Sequence, residues 1–466
     1  MTEFRRKIID FLRSNGLPGK DEDLLPEHQV FLLGGNPLPI RIALEALCPL
    51  KATVLATRET IDSYYRIEQQ KPDRTSMEPV ILEDSSSREN IIIKLKPLIE
   101  NNLMSGRPVG IHYTGGKKTM AAHSLTLFQE IHTTKQLDVP FHRCTYLDGE
   151  SDQLVFDNLA NRFPLCDIPI SLERILALHA MKIKTVKSDI NENRKIISDE
   201  IAGIAFKEEG IEEYRKTLPR WEGWTICAAD PSAVINNETK EKLYPESIAG
   251  GRLKRIECRA AHETNFKSDG AFANWSFKDV NLLCPSITAD STWKSLMKRL
   301  EISKPHRVAE YLSNLWFEDW LLSRILKIPS WKFDETCMNL EVLREQSNTD
   351  GAELDIVARI GHTLVVISAT MANGKHLAKQ KYLEVAARAS QIGGDFTRFV
   401  IAYWGKEDSI SRVLWSELVS HWHAPDNFRV LSLPHYRGES AFTHQNAMGQ
   451  DVSETFDDMF SNWFKR

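Results

Sequence analysis

Lys117 and Lys118 come directly after Gly115 and Gly116, at the end of an apolar run, Val109–Tyr113, and ahead of a helix-forming stretch that continues to His132. Two adjacent glycines let the backbone come close to a ligand and take positive φ without strain. A helix that starts at Thr119 turns its unpaired N–H groups toward whatever sits in that turn. With Thr114 in front and two ammonium groups alongside, the segment composes an anion cradle. The same residues also describe a plain strand-to-helix turn that binds nothing, and local chemistry weighs the two equally. Other polar groups offer less. His112, His123, His362 and His376 lack ligand spacing, and Ser368 has neither a nearby histidine signature nor a nucleophile elbow.

The elements that must position the cradle read as a βα alternation over residues 29–150. Strands are expected at Gln29–Leu33, Ala52–Ala56, Pro79–Leu82, Val109–Tyr113 and Arg143–Leu147, with helices over Pro39–Leu47, through Tyr64 and Tyr65, over Arg88–Asn101 and over Met120–His132. Such a series implies right-handed crossovers and a mainly parallel sheet. Ligands of these sheets lie outside the carboxyl ends of the strands. The turns at Gly34-Gly35-Asn36, Thr57-Arg58 and Thr114–Lys118 all fall on that edge. Arg58 also has Glu59 and Glu83 as candidate ion-pair partners.

Further along, Ile170–Ala180 reads as a short helix and Lys182–Lys195 as a polar linker. Strand-like pieces occur at Trp221–Cys227 and Gly250–Cys258, with Arg252, Lys254, Arg255 and Arg259 near the latter. A solvated strand edge accounts for that basic cluster better than a nucleic-acid patch does. A long amphipathic helix is expected over His306–Leu326. Strands at Cys337–Arg344, Glu353–Arg359 and Thr363–Ser368 have short connections and predict an antiparallel meander. A helix over Leu377–Ile392 and a last strand, Arg398–Tyr403, follow.

Composition bounds the class. A chain of 466 residues predicts two or three domains. A net charge of −5 excludes a global basic field, so any nucleotide site is a local patch. Seven scattered cysteines without a CxxC argue against a disulfide framework and against zinc. The N-terminus lacks the apolar core of a signal peptide, and no apolar run is long enough to span a membrane; a cytoplasmic protein is expected.

Residues 29–150 resemble a CARF domain, the Rossmann-like sensor of cyclic oligoadenylates in type III CRISPR systems. The resemblance rests on Gly34-Gly35-Asn36-Pro37-Leu38-Pro39 and, more specifically, on Tyr113-Thr114-Gly115-Gly116-Lys117-Lys118-Thr119-Met120. It implies a homodimer with a cyclic tetra- or hexa-adenylate across its two-fold axis. Gly35, Asn36, Arg58, Thr114, Gly115, Gly116, Lys117 and Lys118 are then the ligand-facing candidates. Backbone donors, lysines and aromatic rings suit a small polyanion with splayed bases.

The C-terminal part resembles a PD-(D/E)XK nuclease domain, with Glu318 on the long helix, Glu353 and Asp355 in Gly351-Ala352-Glu353-Leu354-Asp355-Ile356, and Lys381 on the following helix. Active members hold Mg²⁺ or Mn²⁺ on carboxylates and use a lysine to orient water. Here the core strand reads Leu364-Val365-Val366-Ile367-Ser368-Ala369-Thr370, aligning Ile367 with the family's acid and Ala369 with its lysine. Lys375, Lys379 and Lys381 are candidates to replace that lysine. Asp355 also has a plain reading, as a strand residue paired with a nearby cation.

The expected architecture is α/β: a Rossmann-like CARF domain over 1–160, a connector over 161–300 that by analogy is winged-helix-like, and a restriction-endonuclease-like domain over 301–466. The function implied is a cyclic oligoadenylate-sensing effector whose nuclease-like domain has lost metal catalysis. The alternatives are a working DNA or RNA nuclease under the same control, a nucleotide-binding regulator outside CRISPR, and a CARF pocket that cleaves its own ring.

Overall fold

The computed structural model describes residues 2–207 and 285–463, apart from 136, 139, 150–151, 166–167, 188–189, 287–292, 304–310, 330–331, 348–350, 372–374, 406–407, 423–426 and 447. The expected strands at 221–227 and 250–258, the basic cluster at 252–259 and most of the connector lie outside these residues.

The chain is mixed α/β. After helix α1 (Glu3–Ser14) come β1 (His28–Leu32), α2 (Leu38–Leu47), β2 (Lys51–Thr57), α3 (Ile61–Gln69), β3 (Ser76–Leu82), α4 (Arg88–Met104), β4 (Val109–His112), α5 (Lys118–Thr134), β5 (Cys144–Asp148), β6 (Gln153–Phe156) and β7 (Phe163–Pro164). The sheet order is β3-β2-β1-β4-β5-β6-β7, with the first five strands parallel and the last two antiparallel. This is a Rossmann-like N-terminal domain. β1 is buried throughout because its alternate residues feed both faces. Val30 and Leu32 pack with Ile91, Leu95 and Phe128 from α4 and α5, and Phe31 packs on the opposite side with α1 and α2.

The second part contains α6 (Leu172–Leu178), β8 (Met181–Lys187), α7 (Glu192–Ala205), α8 (Trp316–Leu326), β9 (Glu335–Arg344), β10 (Gly351–Ile360), β11 (Thr363–Thr370), α9 (Lys375–Gly393), β12 (Arg398–Tyr403), α10 (Asp408–Trp422), β13 (Phe428–Leu431), the hairpin β14 (Ala441–Gln445)–β15 (Asp451–Glu454) and α11 (Phe456–Trp463). Its sheet runs β13-β12-β11-β10-β9-β8, with β8 to β11 as an antiparallel meander and β11 to β13 parallel. The polar stretch expected to link domains therefore contains an edge strand of this sheet, then helix α7. Lys182 and Lys184 alternate with Met181 and Ile183, a strand period that the high lysine content disguised as a linker.

One apolar core is continuous between the two sheets. It joins Phe31 and Leu33 to Leu172 and Leu176 of α6, and those to Leu340, Leu354 and Ala386. A polar tie crosses the same boundary: the Thr363 hydroxyl donates to buried Asp152 at 3.1 Å, while the Leu172 N–H anchors α6 to Glu335 of β9 at 3.1 Å. Among the described residues, no helix is long and apolar enough to cross a membrane.

Candidate functional sites: paired glycine turns and a carboxylate cleft

The turns after β1 and β4 pack backbone against backbone. A Cβ on Gly34 would fall on the carbonyl oxygen of Gly115. A Cβ on Gly115 would lie 2.5 Å from the Leu32 carbonyl oxygen, and one on Gly116 would lie 2.8 Å from the Leu32 Cβ. None of these glycines has positive φ. The expectation of left-handed freedom is thus corrected: the glycines are needed because the two turns touch each other.

That contact sets the candidate ligand residues side by side. Lys117 and Lys118 are exposed at the N-terminus of α5, where no side chain caps the first-turn N–H groups. Neither lysine enters an ion pair among the described residues, so both charges face solvent beside open donors. The Thr114 oxygen accepts the Leu147 N–H at 2.6 Å, which ties the turn to β5 and leaves the hydroxyl proton to donate. Asn36 accepts the Leu38 N–H at 3.0 Å through Oδ1, while its Nδ2 is buried without a hydrogen-bond partner. Arg58 is exposed after β2 and forms no ion pair with Glu59 or Glu83 among the described residues. Gly35 is exposed between the turns, with open space around its Cα. His112, directly beneath, is fully buried against Thr145, and burial pushes its pKa down to about 3, so it carries no charge for the site.

The second site lies where β10 and β11 separate. Three residues from different elements converge there: Glu318 on α8, Asp355 on β10 and Lys381 on α9. The Lys381 ammonium lies 2.9 Å from Asp355 Oδ2 and donates to the Ala369 carbonyl at 2.6 Å. Lys379 instead pairs with Glu417 at 2.7 Å, and the Lys375 side chain lies outside the description. The same Asp355 oxygen accepts the Ala369 N–H at 2.8 Å and the Ser368 hydroxyl at 3.2 Å.

The register shows which side chain of the core strand meets Asp355. Ile367 pairs with Ile356, and both pack with Trp316 and Ala369 on the α8 side of the sheet. Ser368 is the residue whose side chain meets Asp355, and Ala369 contributes only its backbone. A local irregularity places the carboxylate. Leu354 packs into one core and Ile356 into the other, although residues two apart ordinarily share a face. Between them, Asp355 lies opposite Asn339, which has a φ of 47°.

A cavity of about 720 Å³ opens over this point, lined by Lys187, Arg194, Glu318, Glu353, Asp355 and Lys381 among others. Carboxylates outnumber cations along its wall. Glu318 is 8% exposed, and its Oε2 has no hydrogen-bond partner. Burial, then the negative charge of Asp355, pushes its pKa up to about 8, with Lys381 opposing. Mg²⁺ and Mn²⁺ take about six oxygen donors, one or two of them protein carboxylates with free lone pairs and the rest largely water. Here one oxygen of Asp355 already accepts three protein donors. Among the described residues, no three acidic, histidine or cysteine side chains form a metal-ligand group. Asp355 as held here is therefore a poor ligand for Mg²⁺ or Mn²⁺.

Next to the cleft, Asp319 is fully buried and takes a bidentate pair from Arg194, Nε at 2.7 Å and Nη2 at 2.9 Å. This clamp ties α7 to α8 and holds Glu318 one residue away. Sequence reading did not single out Asp319, and its place beside the candidate Glu318 was the available signal.

Fold and sites together define a two-part α/β protein, with a Rossmann-like sheet carrying a glycine–lysine turn and a second sheet carrying a carboxylate cleft. No protein-family model matches the chain, and no curated protein matches its sequence. Solved structures do. Protein VC1899 from Vibrio cholerae is similar over 94% of this chain and 98% of its own, at 12% identity and a TM-score of 0.59. Can2 from Sulfobacillus thermosulfidooxidans, solved in complex with cyclic tetra-adenylate, is similar over 90% of this chain and 97% of its own, at 14% identity and a TM-score of 0.52. The likeness to both shows a shared fold along nearly the whole chain.

Proposed function

We propose that this chain is a cyclic oligoadenylate-sensing effector of type III CRISPR antiviral defence, working as a homodimer in the cytoplasm. A cyclic tetra- or hexa-adenylate binds over the Gly34-Gly35-Asn36 and Thr114–Lys118 turns of a CARF-type domain. It controls a C-terminal PD-(D/E)XK-like domain that has lost metal catalysis. The observation that carries this reading is the pair of interlocked turns with Lys117 and Lys118 at an uncapped helix N-terminus. The fold shared with a protein solved with cyclic tetra-adenylate supports it.

Loss of catalysis is supported by the saturated oxygen on Asp355 and by Ile367 and Ala369, which stand where the resemblance puts an acid and a lysine. The lysine ammonium takes the place beside Asp355 that a metal-bound centre would need open. One observation favours a working nuclease instead: Glu318, Asp355 and Lys381 do converge, with the lysine supplied by a helix rather than by the strand. Incubating the full chain with single-stranded DNA, plasmid and RNA, in Mn²⁺ with cyclic tetra- or hexa-adenylate, separates the two. The proposal predicts no cleavage above that of Asp355→Ala. Cleavage by the wild type that Asp355→Ala abolishes establishes the nuclease reading.

A further inference from the structure

Helix α9 touches both sites. Near its start Lys381 clasps Asp355 and the Ala369 carbonyl, and Arg388 donates to the Glu353 carbonyl at 3.2 Å. At its far end Gly393 leads into Gly394, which has a φ of 61° and presses so closely on the ligand turn that a Cβ there would fall on Asn36 Nδ2. That end is pinned further by the Thr397 hydroxyl, which donates to the Ala389 carbonyl at 3.2 Å. Twelve residues of helix separate Lys381 from Gly393, a span of about 18 Å at a rise of about 1.5 Å per residue. The flank of α9 between them is buried, with Val385, Ala386, Ala389 and Ile392 in the core that joins the two sheets.

We propose that α9 is the strut through which the ligand turn and the carboxylate cleft sense each other, with the Asn36–Gly394 contact as its input and the Lys381–Asp355 clasp as its output. Asn36 Nδ2 is a buried donor with no acceptor, held against a glycine that offers it none. A buried unpaired donor is costly, so an acceptor arriving at the turn has a strong claim on it. A phosphate or base acceptor of the ring draws the amide toward the ligand and off Gly394. Packed helices answer by small shifts between discrete arrangements rather than by bending. The shift reaches the cleft as a changed hold of Lys381 on Asp355. Binding and clasp are then linked in both directions, since coupling between sites is reciprocal.

This inference rests on the cyclic oligoadenylate reading of the turn, and its test separates the two. Hydrogen exchange of the full-length wild type is followed with and without saturating cyclic tetra- and hexa-adenylate, with binding confirmed independently by the melting temperature. The strut predicts at least a threefold change in exchange of amides within residues 375–394, without an equal change in α11. It also predicts that Lys381→Met, far from the turn, changes the ring's Kd at least threefold. Binding with α9 exchange unchanged, or with equal protection of α11, overturns the strut and leaves the ligand reading standing. Failure of both rings to raise the melting temperature overturns the ligand reading, and the strut with it.

Discussion

Replacing Asp319 with alanine is expected to destabilise the C-terminal domain by about 3–5 kcal/mol, the range for removing one partner of a buried ion pair. Asp319 has no exposure and Arg194 is only 11% exposed, so the guanidinium left behind loses its bidentate acceptor in a largely desolvated position. Burial works against the charge on Arg194, and Asp319 and Tyr311 together more than offset it. The guanidinium also lies over the Tyr311 ring at 4.9 Å, and the Tyr311 hydroxyl donates to the Arg194 carbonyl at 2.9 Å, so α7 and the turn before α8 loosen together. Buried Trp316, Trp320 and Trp404 report the loss as a fluorescence change at lower denaturant. Asp319→Asn, which keeps one acceptor, is expected to lose less. The double change Arg194→Met with Asp319→Leu is expected to recover much of the loss, because no buried charge is then stranded. An unshifted midpoint for Asp319→Ala contradicts this account of the clamp.

Gly34→Val is expected to be almost as damaging, and to remove ligand binding as well. Its Cβ meets a backbone oxygen, Gly115 O, which cannot swing aside as a side chain does. The two turns must separate, carrying Thr114 off its Leu147 N–H and displacing the start of α5. Overpacking costs typically 1–3 kcal/mol, and a rigid partner puts this case at about 3 kcal/mol or more. The neighbouring residue is the control. Gly35 has ordinary φ and nothing within 4 Å of the added carbon, so Gly35→Ala is expected within about 0.5 kcal/mol of wild type. Equal midpoints for Gly34→Val and Gly35→Ala contradict the interlocked turns.

The N-terminal sheet was legible because its strands are short apolar runs closed by Gly, Thr or Asn turns. The expected strands over residues 29–150 match β1 to β5 to within a few residues. The meander and Arg398–Tyr403 were legible for the same reason. β8 was passed over because its lysine content reads as a linker, and β13 and the β14–β15 hairpin were not singled out in the sequence. At the sites, the sequence marked out Lys117 and Lys118 but gave a different reason for the glycines. Their close approach is to another turn 80 residues away, a contact no local window carries. It also offered Lys375, Lys379 and Lys381 and settled on Lys381. The packing of α9 on the sheet sends Lys379 to Glu417 and Lys381 to Asp355. Ser368 was missed because register belongs to a pair of strands and not to one.

The central claim is that the Thr114–Lys118 turn binds a cyclic oligoadenylate, and titration calorimetry of the full chain with cyclic tetra- and hexa-adenylate tests it most directly. One of the two rings is expected to bind. Exchanging both Lys117 and Lys118 for alanine is expected to lower its affinity at least about tenfold, since a charge-assisted hydrogen bond is worth about 1.5–3 kcal/mol. At a hundredfold excess over Kd the same ring is expected to stabilise the wild type by about 2.7 kcal/mol. No heat with either ring, or binding that the double variant leaves untouched, contradicts the account.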